Sequence, residues 1–207
     1  MNRVGAIVVA GGRASRMGGR DKLALQVAGT AVLDRALSSV AHADAVVVVG
    51  PVRPTSTRVR WTRETPAGSG PVAAIAAGLR ELEGNSAAAS RAQPGAPKQY
   101  DAILVLAGDM PLVNTSFARL VEALESGPWD VAVALDEQGV DQPLLSAWRT
   151  AALVAALQSV PRLAGARVRD LLTDIRINRV EVGVAALDCD EEADIQRAED
   201  ALKAQER

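Results

Sequence analysis

The stretch Val4-Gly5-Ala6-Ile7-Val8-Val9-Ala10, ending in Gly11-Gly12, decides the fold. A continuous apolar run closed by glycines reads as a strand buried on both faces, the habit of strands in a parallel sheet. Similar runs recur at Ala45 to Val49, Ala102 to Leu106 and Val131 to Leu135. Helical patterns lie between them. From Ala31 to Val40 the residues Val32, Leu33, Ala36, Leu37 and Val40 make one apolar face. Pro71 to Leu82 opens on Gly-Pro, where proline suits the first helical turn. Residues 115–125 and 150–158 repeat the pattern, and 191–204 form a polar-faced helix with Asp190 in position to cap it. Strands alternating with helices predict an α/β domain with a mostly parallel central sheet.

Two stretches break the rhythm. Gly84 to Gln99 is rich in Ala, Ser, Gly and Pro and reads as a mobile surface loop (84–99). Asp141 to Trp148 and Ile175 to Val184 read as strands added at the sheet edge, or as a small lobe. No internal repeat and no linker divides the chain, so residues 1–207 are expected to form one domain.

Composition narrows the chemistry. Of 207 residues, 48% are hydrophobic and 23% charged, the profile of a globular chain. Lys and Arg number 23 against 25 Asp and Glu, so a net charge of -2 argues against bulk attraction to nucleic acid or anionic membrane. The aromatic supply is Tyr100, Phe117, Trp61, Trp129 and Trp148, too little for a base-stacking platform. The tryptophans read as core or rim packing. A single histidine, His42, and a single cysteine, Cys189, leave no Ser-His-Asp or Cys-His pair unless His42 serves, and no Cys/His zinc site. His42 reads as a helix C-terminal residue and Cys189 as a packed thiol. With no internal disulfide available, no apolar run of membrane-spanning length and no signal peptide, a cytoplasmic location is expected. Carboxylates, Lys or Arg and backbone amides are left to carry any catalysis.

Such groups gather where the first strand stops, in Ala10-Gly11-Gly12-Arg13-Ala14-Ser15-Arg16-Met17-Gly18-Gly19-Arg20-Asp21-Lys22. Ligands of open α/β sheets sit beyond the carboxyl ends of the strands, and glycines there let backbone N–H groups approach a phosphate. The spacing matches neither G-x-G-x-x-G nor G-x-x-x-x-G-K-[ST], which removes the dehydrogenase and P-loop readings. What remains is a phosphate loop with Arg13, Arg16 and Lys22 as donors, or else a glycine turn with solvated basic residues.

The Ala10-Gly11-Gly12 turn with Arg16-Met17-Gly18 and Lys22 resembles the molybdenum cofactor guanylyltransferases and their nucleotidyltransferase relatives. Four later stretches resemble that family in order: Gly70-Pro71 through Gly78-Leu79, Gly108-Asp109-Met110-Pro111, Gln142-Pro143-Leu144, and Asp188 to Ile195. The resemblance implies a three-layer, Rossmann-like, GT-A-like nucleotidyltransferase fold. It implies that Val9, Ala10, Gly11, Gly12, Glu64 and Gly70 hold the nucleotide, with Arg13, Arg16 and Lys22 toward the triphosphate. Lys22, Arg16 and Asp109 are the implied catalytic residues. Asp109 also aligns with the family's magnesium aspartate, and Asp190 is, by register over Asp188, the second carboxylate on the metal.

Three departures accompany it. Glu191-Glu192 replace a usual Thr-Pro, Glu64 with Thr65 stands where relatives carry an aspartate, and Gly50 replaces an asparagine of some relatives. The implied reaction joins GMP from GTP to a phosphorylated acceptor, molybdopterin, releasing pyrophosphate with Mg²⁺ as cofactor. A cytidylyltransferase, another small-phosphate transferase and a catalytically silent nucleotide-binding protein are the alternatives.

Overall fold

The computed structural model describes residues 3–11, 21–84, 100–114 and 116–205. In chain order the strands are β1 (Val4–Val9), β2 (Gln26–Val27), β3 (Thr30–Ala31), β4 (Ala45–Val49), β5 (Arg60–Thr62), β6 (Ala102–Ala107), β7 (Val131–Leu135), β8 (Asp141–Arg149) and β9 (Ile177–Glu181). The α-helices are α1 (Val32–Ser39), α2 (Pro71–Leu82), α3 (Ser116–Glu125), α4 (Thr150–Ser159) and α5 (Glu192–Gln205). Among the described residues β2 and β3 pair as a small hairpin, and the other strands make one sheet ordered β5-β4-β1-β6-β8-β7-β9.

The apolar run of β1 is buried on both faces, as its composition requires. Ala6 and Val8 point into one core with Leu33 and Leu37 of α1, Phe117 and Leu120 of α3, and Ala198 of α5. Ile7 points into the other, with Val72, Ile75 and Leu79 of α2 and Leu153 of α4. The result is a three-layer, Rossmann-like α/β architecture. Gly78 lets α2 lie directly on the sheet, since a Cβ there would stand 2.5 Å from Ile7 Cγ2 and 3.1 Å from Val49 Cγ2.

Parallel register sets up the rim. Val9 pairs with Val49 of β4 and with Ala107 of β6, and Val49 pairs in turn with Thr62 of β5. Four strands therefore end in one row, so the residues just beyond them (Ala10-Gly11, Gly50, Glu64 and Gly108-Asp109) are carried to the same edge.

One expectation is corrected. β8 is not an edge strand or part of a lobe; it lies inside the sheet, antiparallel to both β6 and β7. Its second half explains the placement. Leu145, Ser146, Ala147 and Trp148 are all buried, and Trp148 Nε1 donates to Ser146 Oγ at 2.9 Å, so its polar edge is satisfied within the core. Of the two segments, β9 does take an edge, parallel to β7. Trp61 and Trp129 pack partly buried against the core. His42 is exposed, just past α1. The expected loop at 84–99 lies, beyond Gly84, outside the described residues. No helix among the described residues is long and apolar enough to cross a membrane.

Candidate functional site

Backbone bonds stitch the strand ends together beyond the sheet proper. Ala10 N–H donates to Val49 O at 2.9 Å, Gly108 N–H to Val9 O at 2.9 Å, and Gly50 N–H to Thr62 O at 3.0 Å. Gly50 is held so closely that a Cβ would come within 2.6 Å of Ala10 O. An asparagine side chain therefore has no room at this position on this backbone.

Glu64 follows β5 and turns inward until it is only 7% exposed. Its Oε1 accepts the Gly68 N–H at 2.7 Å. Among the described residues its Oε2 is buried with no hydrogen-bond partner. A Cβ on Gly11 would stand 3.9 Å from Glu64 Oε1, which places this carboxylate beside the strand-end turn. A buried acceptor left unpaired is costly, and such groups call for a reason.

Across the rim, Lys22 begins a short 3₁₀ turn, Lys22–Ala24. Its ammonium donates to Asp109 Oδ2 at 2.5 Å and to Asp190 Oδ1 at 2.8 Å, with the lysine side chain 28% exposed. Burial acts to lower the Lys22 pKa, but the two carboxylates outweigh it and leave it raised. Asp109 is placed by β6. Asp190 is brought from the far end of the chain because Cys189 N–H donates to Asp109 O at 2.9 Å. Cys189 turns its thiol into the core, where burial first and then the charges of Asp194, Asp109 and Asp188 push its pKa up to about 12. That thiol is inert packing, flanked by Asp188 and Asp190. Asp188 stays close enough that burial, then the charges of Asp109 and Asp190, raise its own pKa. At the start of α5, Asp194 accepts the N–H groups of Asp190 and Glu191 at 3.1 and 2.9 Å.

A cavity of about 920 Å³ opens beside Asp109 and Asp188. Its wall includes Gly70 at the head of α2, Gln142 and Leu144 of β8, and Arg167 and Arg169 from the segment after α4. Gly70 thus sits with Asp109 on the cavity wall.

The structure therefore brings Lys22, Asp109 and Asp190 into contact and sets Val9, Ala10, Gly11 and Glu64 along the same rim. Gly12, Arg13 and Arg16 lie outside the described residues. Sequence reasoning missed Arg53, whose Nε donates to Asp21 Oδ2 at 2.6 Å and whose Nη1 donates to Ala10 O at 3.2 Å and Pro51 O at 2.9 Å. It also missed Arg167 and Arg169. Nothing in a lone arginine between Pro51-Val52 and Pro54 announces such a role.

A family model described as the MobA-like NTP transferase domain matches residues 6–180. The chain belongs to this family. It is a nucleotidyltransferase of MobA-like type. A molybdenum cofactor guanylyltransferase from Shewanella frigidimarina is 26% identical over 149 residues, covering 69% of this chain and 67% of that protein. Among solved structures, the molybdopterin-guanine dinucleotide biosynthesis protein A of Archaeoglobus fulgidus superposes with a TM-score of 0.66 at 18% identity, covering 97% of this chain and 99% of that one. The 2-C-methyl-D-erythritol 4-phosphate cytidylyltransferase of Thermus thermophilus gives a TM-score of 0.66 at 19% identity, over 97% and 99%. At these identities the two structures share the MobA-like chain's fold.

Among the described residues no group of three or more His, Cys, Asp or Glu side chains is arranged to hold a metal ion. Two hard carboxylates, Asp109 and Asp190, nevertheless converge on one cationic nitrogen. That donor set fits Mg²⁺, which takes one or two carboxylates and fills its other positions with water and substrate phosphate.

Proposed function

We propose that this MobA-like chain transfers a guanylyl group from GTP to the phosphate of a molybdopterin-type acceptor. The observation that carries the reading is the meeting of Lys22, Asp109 and Asp190 at the rim where β1, β4, β5 and β6 end. An acceptor phosphate oxygen forms the new bond to the α-phosphorus, the bond to the bridging oxygen toward the β-phosphate breaks, and pyrophosphate leaves with that electron pair. The attacking oxygen is already an anion at neutral pH, so no imidazole base is needed. Asp109 and Asp190 would hold Mg²⁺, which neutralises phosphate charge when bound. Lys22 can turn its ammonium from the carboxylates to the triphosphate, where a positive charge favours the departing pyrophosphate. Arg16, with Arg13 and Gly12, belongs to the same proposed triphosphate contact. Val9, Ala10 and Gly11 offer the strand-end backbone to the nucleoside, and Gly70 lets the head of α2 approach it.

Glu64 supports guanine over cytosine. A carboxylate only accepts hydrogen bonds, and guanine presents N1–H and its N2 amino group side by side. Cytosine presents only its N4 amino group next to further acceptors. The carboxylate stands beside Gly11 through Oε1, which also accepts the Gly68 N–H, and its Oε2, unpartnered among the described residues, is the acceptor left for a guanine donor. The cavity lined by Asp109 at one wall and by Arg167 and Arg169 elsewhere suits a small anionic acceptor.

The test is pyrophosphate release from GTP and from CTP, with molybdopterin and Mg²⁺, together with detection of the dinucleotide product. GTP is expected to be the better donor. Preference for CTP would overturn the base assignment, and GTP binding with no pyrophosphate released would leave only a nucleotide-binding protein.

A further inference from the structure

We infer that Arg53 is a positioning residue that sets the spacing between the nucleotide-holding strand end and Lys22. The inference rests on the nucleotide-site reading. Ala10 and Asp21 stand on either side of the glycine-rich stretch 12–20, and one guanidinium reaches both. Its Nη1 donates to Ala10 O, the carbonyl of a residue whose own N–H is already fixed to Val49 O. Its Nε donates to Asp21 Oδ2, and the other oxygen of that carboxylate accepts the Leu23 N–H at 3.2 Å, which starts the turn carrying Lys22. A third contact, to Pro51 O, anchors the guanidinium to the loop after β4. Thus β1, the β4 loop and the Lys22 turn are joined through one planar group.

The chemistry asks for arginine specifically. A rigid fork of donors can hold a carboxylate and a carbonyl at fixed angles, whereas an ammonium is a point charge on a flexible stem. The Arg53 side chain is 17% exposed and that of Asp21 41%, so the pair is half-buried, its guanidinium better shielded than its carboxylate. The two arms have different consequences. The Asp21 arm acts on Lys22 and so on the phosphates, while the Ala10 arm acts on the strand end that faces the nucleoside.

The test compares Asp21→Asn, Arg53→Ala, Arg53→Lys and the Asp21→Asn/Arg53→Ala double variant with the wild type. Affinities for GTP and for guanosine are read by calorimetry, and melting temperature checks folding. Asp21→Asn keeps an oxygen for Leu23 but loses both the charge and the acceptor facing Arg53 Nε, where its amide N–H would stand instead. It is expected to weaken GTP about tenfold, the scale of one charged hydrogen bond, while guanosine changes less than about twofold. Arg53→Ala is expected to weaken both ligands, the double variant to be no worse than Arg53→Ala, and Arg53→Lys to restore neither. Equal loss for GTP and guanosine in Asp21→Asn, additive effects in the double variant, or full rescue by lysine would overturn the inference. If the wild type binds no GTP, the nucleotide-site reading fails and takes this inference with it. If the wild type binds and Asp21→Asn is unaffected, only the role of Arg53 fails.

Discussion

Lys22→Met is the most informative single change, because the structure predicts that it moves stability, metal response and turnover in different directions. Lys22 faces two carboxylates at 2.5 and 2.8 Å, and Asp188 adds a third acidic group nearby. An ion pair about 4 Å apart at an effective dielectric of 20 is worth about 4 kcal/mol. All three partners are partly open to solvent, so the net loss on removing the ammonium is nearer about 1–2 kcal/mol. For a chain of this size that is a fall in melting temperature of about 2–8 °C. The Lys22 pKa is raised in the folded state, so its contribution is fully present below the ordinary value of 10.5 and is lost only as pH climbs through the higher folded value. The deficit of the variant should therefore be flat across neutral pH and shrink only above about 10.5. Millimolar Mg²⁺ or Mn²⁺ without nucleotide should restore much of the lost stability in Lys22→Met, because the cation can take the place of the ammonium between Asp109 and Asp190. The wild type, whose lysine already stands between them and offsets one of the two charges, should respond less. Pyrophosphate release should fall by about 10²–10³, the scale of one preorganised donor. Thermal unfolding with and without the divalent ion, beside a turnover assay, reads all three. A variant as stable as the wild type, with the same metal response, would refute the reasoning.

Three further outcomes follow from single contacts. Glu64→Gln replaces one acceptor by a donor beside Gly11, and should raise the Kd for GTP about tenfold or more while leaving CTP little changed; parallel titrations of the two nucleotides check it. Gly78→Ala gains about 1 kcal/mol of helix propensity but forces a methyl group against Ile7, so overpacking of about 1–3 kcal/mol should win and lower the melting temperature. Asp130 accepts Arg176 Nε at 3.0 Å, Nη2 at 2.8 Å and the Arg176 backbone N–H at 2.9 Å. Its hydrogen bonds to Arg176 outweigh burial and hold its pKa below 3.8, so the stability it adds is present above that value and is lost as pH falls through the lower native value. Asp130→Asn should therefore be less stable than the wild type at pH 7, with the gap closing below about pH 3.8 in acid-unfolding curves.

The sheet was legible wherever burial on both faces leaves an unbroken apolar run, as in Ala6 to Val8 and Ile103 to Leu106. β8 was not. Its opening Asp141-Gln142-Pro143 reads as an edge, and only the burial of Leu145 to Trp148 shows that strands lie on both sides. Neighbour order is a property of the whole sheet and leaves no local mark. β5 escaped for a related reason, since Arg60-Trp61-Thr62 is short and half polar. In the site, Lys22 and Asp109 stand in recognisable surroundings, but their contact depends on the register of β1 with β6.

That register also explains why so little specialised chemistry is required here. Parallel pairing brings four strand ends level, and the residues just beyond three of them carry the proposed contacts: backbone from Ala10-Gly11, and the carboxylates of Glu64 and Asp109. The sheet does the aligning that a histidine dyad or thiol pair needs its own side-chain network to achieve. Asp190 is the exception, since no strand carries it. It arrives through one backbone bond from Cys189 to Asp109 O, with a buried thiol between two acidic side chains. A chain with one histidine and one cysteine can therefore assemble a phosphoryl-transfer site, provided the cysteine is used for packing and the charges are left to lysine, arginine and aspartate.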